Sequence, residues 1–137
     1  MKYISDFKSP EFIGFIVCGA VAAAVNVASR IIFDTILQSY IISILLAFIA
    51  GLLTGFVLDK YLIFKKSKKA TEWQLCAFIA INLIGVLQTV LFSLLFYEII
   101  FPIINWTFYP DTIAHIIGVG IPVFTSYLGH KYISFGN

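Results

Sequence analysis

Apolar positions in this chain come as long unbroken runs, neither alternating nor gathered into short strands. Four runs, about 11–33, 40–63, 72–100 and 112–133, carry very little charge. Each has the ~20 residues that a helix needs to cross a hydrocarbon core about 30 Å thick. Inside lipid every backbone amide must find its partner within the structure, so runs of this length predict helices. A closed β-barrel would need polar and apolar residues in alternation, and no segment shows that. The first helix is entered through Ser9-Pro10, which reads as an N-cap followed by a proline at the first helical position. The expected fold is therefore all-α: a polytopic membrane protein with four transmembrane helices, forming a single transmembrane domain over 1–137.

Composition closes off the alternatives. The 137 residues are 61% hydrophobic and 12% charged, against about 45–50% and about 25% in a soluble domain. A small core cannot hide that much apolar surface, which excludes a soluble enzyme and a disordered chain. A formal net charge of +2 argues against a nucleic-acid partner. The first helix is not a cleaved signal peptide, because its apolar run continues well past Ala22-Ala23-Ala24. Cys18 and Cys76 lie within or near helices and imply no disulfide framework; a small buried apolar role is expected for both.

Lysine sets the orientation. Lys2 and Lys8 precede the first helix, Lys60, Lys65, Lys66, Lys68 and Lys69 surround the middle connection, and Lys131 ends the fourth helix. The other two connections contain none. By the positive-inside rule both termini and the middle loop are expected in the cytoplasm, and the 65–69 loop is expected to attract anionic lipid at about 1 kcal/mol per charge. An acidic patch on a partner protein would fit the same loop.

An internal repeat is also visible. Asp59-Lys60-Tyr61-Leu62-Ile63-Phe64 closes the second helix and His130-Lys131-Tyr132-Ile133-Ser134-Phe135 closes the fourth, while Phe15-Ile16 and Val27 in the first helix answer Phe78-Ile79 and Val90 in the third. Both halves would start in the cytoplasm, so the expectation is two parallel two-helix repeats. Taken with Phe15-Ile16-Val17-Cys18-Gly19, Phe56-Val57-Leu58-Asp59 and Tyr127-Leu128-Gly129-His130, these motifs resemble the GtrA-like family of small four-helix membrane proteins (the GtrA and dolichol-phosphate mannosyltransferase transmembrane-domain type). In that family the first helix carries Phe-x-x-x-Gly, and the second and fourth close with Phe-x-x-Asn-Arg-x-Trp-x-Phe. Here Asp59 and His130 stand in the Asn slots, Lys60 and Lys131 replace arginine, and Leu62 and Ile133 stand where Trp is common. The resemblance implies a multi-pass protein of the bacterial plasma membrane serving cell-surface polysaccharide assembly by translocating a polyprenyl-phosphate-linked sugar. It equally implies an alternative, since some relatives are fused to or work beside a polyprenyl-phosphate glycosyltransferase: an anchor or accessory subunit without transport.

Polar side chains at depth in a membrane are costly and ask for a reason. Asp59, Lys60, His130 and Lys131 form a layer roughly 10–14 Å from the midplane on the lysine side, with Asn82 somewhat deeper. Asn26, Arg30, Gln88, Ser93 and His115 fall in the opposite leaflet. Arg30 is the only arginine and shares a helix face with Asn26 four residues earlier. It can snorkel to the headgroups or pair with Asp34, or its planar fork can receive a lipid phosphate. The candidate substrate-binding set is Asn26, Arg30, Asp59, Lys60, Asn82, Gln88, His130 and Lys131.

Gly51-Gly55-Asp59 and Gly118-Pro122-Ser126-His130, each spaced by four, read as small-residue faces for close helix packing, and Pro122 should kink its helix. Four short helices enclose little room for a headgroup, so self-association is expected. The outer 101–111 segment reads as an interfacial aromatic belt, with Trp106 or Tyr109 stacking on a sugar as a second reading. A proton-coupled drug exporter is rejected because the first helix has no acid between Glu11 and Asp34. No metal-ligand spacing and no nucleophile–base pair can be argued, so neither an enzyme nor a cofactor is expected.

Overall fold

The computed structural model describes residues 2–137; Met1 and the side chains of Lys2 and Tyr3 lie outside the description. The described chain is helical, with four helices long and apolar enough to cross a membrane: Pro10–Leu37, Tyr40–Ile63, Thr71–Ile103 and Pro110–Ser134. It divides into two compact units, Met1–Lys68 and Lys69–Asn137.

In the first unit a short helix, Lys2–Asp6, leads to the first span. Ser9 caps that span as its spacing predicts: its Oγ accepts the Phe12 N–H at 3.2 Å, and Pro10 occupies the first turn, where a missing N–H costs nothing. The span runs one turn beyond the expected Phe33. It stops at Gln38, whose left-handed backbone (φ 52°) lets its N–H reach the Asp34 carbonyl at 3.0 Å. Residues 38 and 39 alone join it to the second span. Ser43, Ala47, Gly51, Gly55 and Asp59, each four residues from the next, are all buried, so the small-residue face is the packing face. A Cβ added at Gly51 would sit 2.8 Å from the Asn26 Cβ and 3.1 Å from the Ala22 carbonyl oxygen. Hydroxyls along the span are satisfied locally, with Ser43 donating to Ser39 O and Thr54 to Ala50 O, both at 2.7 Å.

The second unit repeats this construction with different residues. The third span begins at Thr71 and passes the expected end at Ile100 to finish at Ile103; the fourth begins with Pro110 at its first position. Ala114, Gly118, Pro122, His130 and Ser134 are buried at the same spacing of four, with Ser126 half-buried between them. Gly118 lies against Thr89 and Ser93, and Gly85 against Pro122 and Ser126. Helix continues through Pro122 to Gly129. Cys18 is buried, but Cys76 is exposed, contrary to expectation. An outward-facing thiol is tolerated there because the surface of a membrane helix meets lipid, where a small weakly polar group needs no cover.

Three wide turns with i→i−5 hydrogen bonding interrupt these helices, at Asp59–Ile63, Leu95–Ile100 and His130–Ser134. Two of them close the second and fourth spans in the same way: Phe64 N–H donates to Asp59 O at 2.7 Å, and Phe135 N–H to His130 O at 2.9 Å. The polar residue of each closing motif is thus the first residue of its turn. Wide turns of this kind cluster at functional positions in helices.

Candidate functional site

A polar side chain within a span must be hydrogen-bonded or covered by neighbours. In the second unit His130, 2% exposed, meets this demand on every side. Its ring stacks on Phe78 with centroids 4.3 Å apart and planes 21° apart. Its Nδ1 lies 3.1 Å from Ser134 Oγ and its Nε2 lies 3.5 Å from Asn82 Nδ2. Asn82 is oriented by its own helix, since Nδ2 donates to Phe78 O at 2.9 Å. With the amide nitrogen fixed in that direction, Nε2 is the acceptor and the ring proton belongs on Nδ1, donated to Ser134. Two of the sequence-predicted residues, Asn82 and His130, are therefore brought together. Sequence reasoning missed their partners Phe78 and Ser134, although each lies four residues from one of them, the spacing that makes helical neighbours.

Lys131, next along the turn, reaches back one turn to the fully buried Tyr127. Its Nζ donates to the phenol oxygen at 3.3 Å and lies 5.5 Å from the ring centroid. Gln88 sits about 9 Å along the third span from Asn82 and belongs to a separate contact, its Oε1 accepting from Thr125 Oγ1 at 2.7 Å. Ser93 faces Gly118, and His115 is exposed.

In the first unit Asp59 is 3% exposed, at the foot of the small-residue face, and lies within electrostatic reach of Cys18. Lys60 extends its ammonium 5.8 Å from the Phe56 ring centroid and 5.6 Å from that of Tyr61. Such contacts favour a cation in a poorly hydrated setting. Asn26 is half-buried against Gly51. Arg30, one turn on, lies over the Tyr40 ring at 5.6 Å, across the two-residue connection. Arg30 thus lies toward one end of this unit and Asp59 and Lys60 at the other, with Asn26 near mid-span between them.

The lysine-rich connection is not uniform. Lys65, Lys66 and Lys68 are exposed. Lys69 instead donates to Ile133 O at 2.8 Å, a carbonyl shared with the Trp73 indole N–H at 3.2 Å. A cation beside the last carbonyls of a helix is favoured by its dipole, so Lys69 closes the end of the fourth span.

Residues 14–136 match the family model described as GtrA/DPMS, transmembrane domain. No curated protein and no solved structure matches the chain. The match takes in all of the last three spans, the first span from residue 14 onward, and the closing turns on which the sequence motifs fall. The chain belongs to the GtrA/DPMS transmembrane-domain family.

Proposed function

We propose that this protein moves a polyprenyl-phosphate-linked sugar from the cytoplasmic to the outer leaflet of a bacterial plasma membrane, and does so without covalent chemistry. The observation that carries the reading is the pairing of a buried polar residue with a lysine at the foot of the buried stripe in each unit: Asp59 with Lys60, and His130 with Lys131. Family membership supports it. In this reading the lysine-bearing ends face the cytoplasm by the positive-inside rule, and the two units are parallel copies of one hairpin. Lys60 and Lys131 meet the entering phosphate, while the prenyl chain stays in lipid. Arg30 receives the phosphate at the far leaflet by a forked contact that a lysine cannot copy. Self-association would supply the enclosed path that four helices alone scarcely provide.

The test is a vesicle assay. Liposomes carrying the protein and a radiolabelled polyprenyl-phosphate hexose are treated with periodate, which does not cross the bilayer, so oxidation counts the sugar exposed outside. Exposure is expected to rise with the protein and to slow by about tenfold when Arg30 and Lys131 are both replaced by alanine. Equal rates for the variant and the parent would overturn the mechanism.

A second reading, an accessory subunit that recruits a glycosyltransferase, is favoured by one observation, the exposure of Lys65, Lys66 and Lys68. It expects co-purification of the enzyme to be lost when those three are neutralised and retained when Arg30 is replaced.

A further inference from the structure

At the end of the second unit farthest from Lys69 and Lys131 lies a cleft of about 300 Å³, lined by Tyr97, Glu98, Phe101, Pro102, Trp106 and Pro110. Its walls come from the way the third span stops. Trp106 N–H donates to Phe101 O at 2.9 Å and Asn105 N–H to Pro102 O at 3.3 Å, with Asn105 in the left-handed region at φ 55°. That pair of bonds is a Schellman stop, and the apolar contact that accompanies such a stop is here the Trp106 indole stacked on Phe101, 5.7 Å and 27° apart. Phe101 is only 5% exposed and is braced edge-on by Phe96 at 5.8 Å. The indole N–H donates to Phe108 O at 2.7 Å. Trp106 is therefore held through its backbone, one ring face and its N–H edge, and it still leaves 42% of its surface open.

An interfacial belt accounts for aromatics at this level. It does not account for a concave wall with a carboxylate set into it. The third span, 33 residues long, measures about 50 Å, more than the hydrocarbon core of about 30 Å, so its last turns, which bear Glu98, reach the headgroup layer and water. A rigid aromatic face beside an acceptor is suited to a pyranose ring: the apolar C–H face packs on the indole and the hydroxyls donate to the charged carboxylate. The volume stands at the lower end of small-ligand clefts, about 300–1,000 Å³, and admits one ring. We infer that this cleft binds a single glycosyl ring, the sugar of the transported lipid as it emerges in the outer leaflet, an assignment that rests on the translocation proposed above. Tyr109, the other residue considered for stacking on a sugar, does not line the cleft.

The chain has two tryptophans, so Trp73→Phe makes Trp106 the sole indole reporter. The full-length variant in lipid nanodiscs is titrated with the methyl glycosides of glucose, galactose, mannose and N-acetylglucosamine, and separately with tetramethylammonium. Expected is a saturable change in Trp106 emission with at least one glycoside, weakened about tenfold by Glu98→Ala; Glu98 is exposed, so its loss leaves the fold intact. Response to tetramethylammonium alone would make the cleft a cation cage and overturn the inference. So would the absence of a saturable response to every glycoside, or an affinity that Glu98→Ala does not change. The readout needs no transport. Glycoside binding without translocation in vesicles would sink the transport reading and leave a sugar-binding cleft, whereas translocation without binding would sink the cleft alone.

Discussion

The imidazole of His130 rests on the ring of Phe78, centroids 4.3 Å apart, so a buried polar group of the fourth span is carried by a buried aromatic of the third. Phe78→Ala removes that support and leaves a cavity beneath the histidine. It is expected to cost roughly 3 kcal/mol, read as a shifted midpoint of unfolding in mixed micelles. Phe78→Leu, which refills much of the space, should cost well under half as much. Equal effects of the two would mean that the ring does not bear on His130.

Asn82 and His130 approach at 3.5 Å, the long end of hydrogen bonding. A double-mutant cycle with Asn82→Ala and His130→Ala should return a coupling of only about 0.6 kcal/mol, the usual size for polar pairs between membrane helices. A coupling several times larger would require the pair to belong to a wider buried network.

Glycines separate by what surrounds them. A Cβ at Gly118 would collide with Ser93 and Thr89, whereas one at Gly120 meets nothing within 4 Å. Gly118→Ala is expected to destabilise the second unit by about 2 kcal/mol through overpacking. Gly120→Ala should be neutral or stabilise its helix by up to about 1 kcal/mol. Thermal unfolding of the two variants side by side checks the contrast.

Thiol labelling gives a direct test of the packing. Cys76 is exposed and Cys18 buried, so a membrane-permeant maleimide should modify Cys76 before Cys18 in the folded protein and reach Cys18 only on unfolding. Mass spectrometry of the labelled chain counts the adducts. Rapid double labelling of the native protein would contradict the burial of Cys18.

Lysines of the middle connection should divide in the same experiment on stability. Lys69→Met removes a charge-assisted bond to Ile133 O and is expected to cost about 1.5 kcal/mol. Lys65→Met, with its side chain exposed, should be silent in stability and reduce binding to anionic vesicles.

Much of this architecture is legible in the sequence because hydropathy over some twenty residues is a coarse quantity that lipid enforces. The four spans, the Ser9 cap and the small-residue faces follow from it. The ends do not: the first span outlasts Phe33 because Gln38 can adopt a left-handed stop, and the third outlasts Ile100 because Pro102 breaks no helix there. At the candidate site, spacing placed Asn82 on the same side of the midplane as His130 and somewhat deeper. It could not show that Phe78 and Ser134 complete the cluster, that Gln88 answers to Thr125, or that Lys69 reaches a carbonyl at a helix end. Those outcomes depend on rotamers and on neighbours from the other helix of the hairpin, which a one-dimensional pattern does not contain.

Each wide turn holds one residue more than an α-helical turn would use, so at Asp59 and again at His130 the chain has absorbed an extra residue without breaking its helix. Removing one residue there would restore ordinary helix and leave what lies beyond it facing much as before, whereas the same loss from a regular turn would swing everything beyond it by about 100° around the axis. These two places are thus where each hairpin can give up a residue while the loop beyond keeps its aim and the packed part stays as it is.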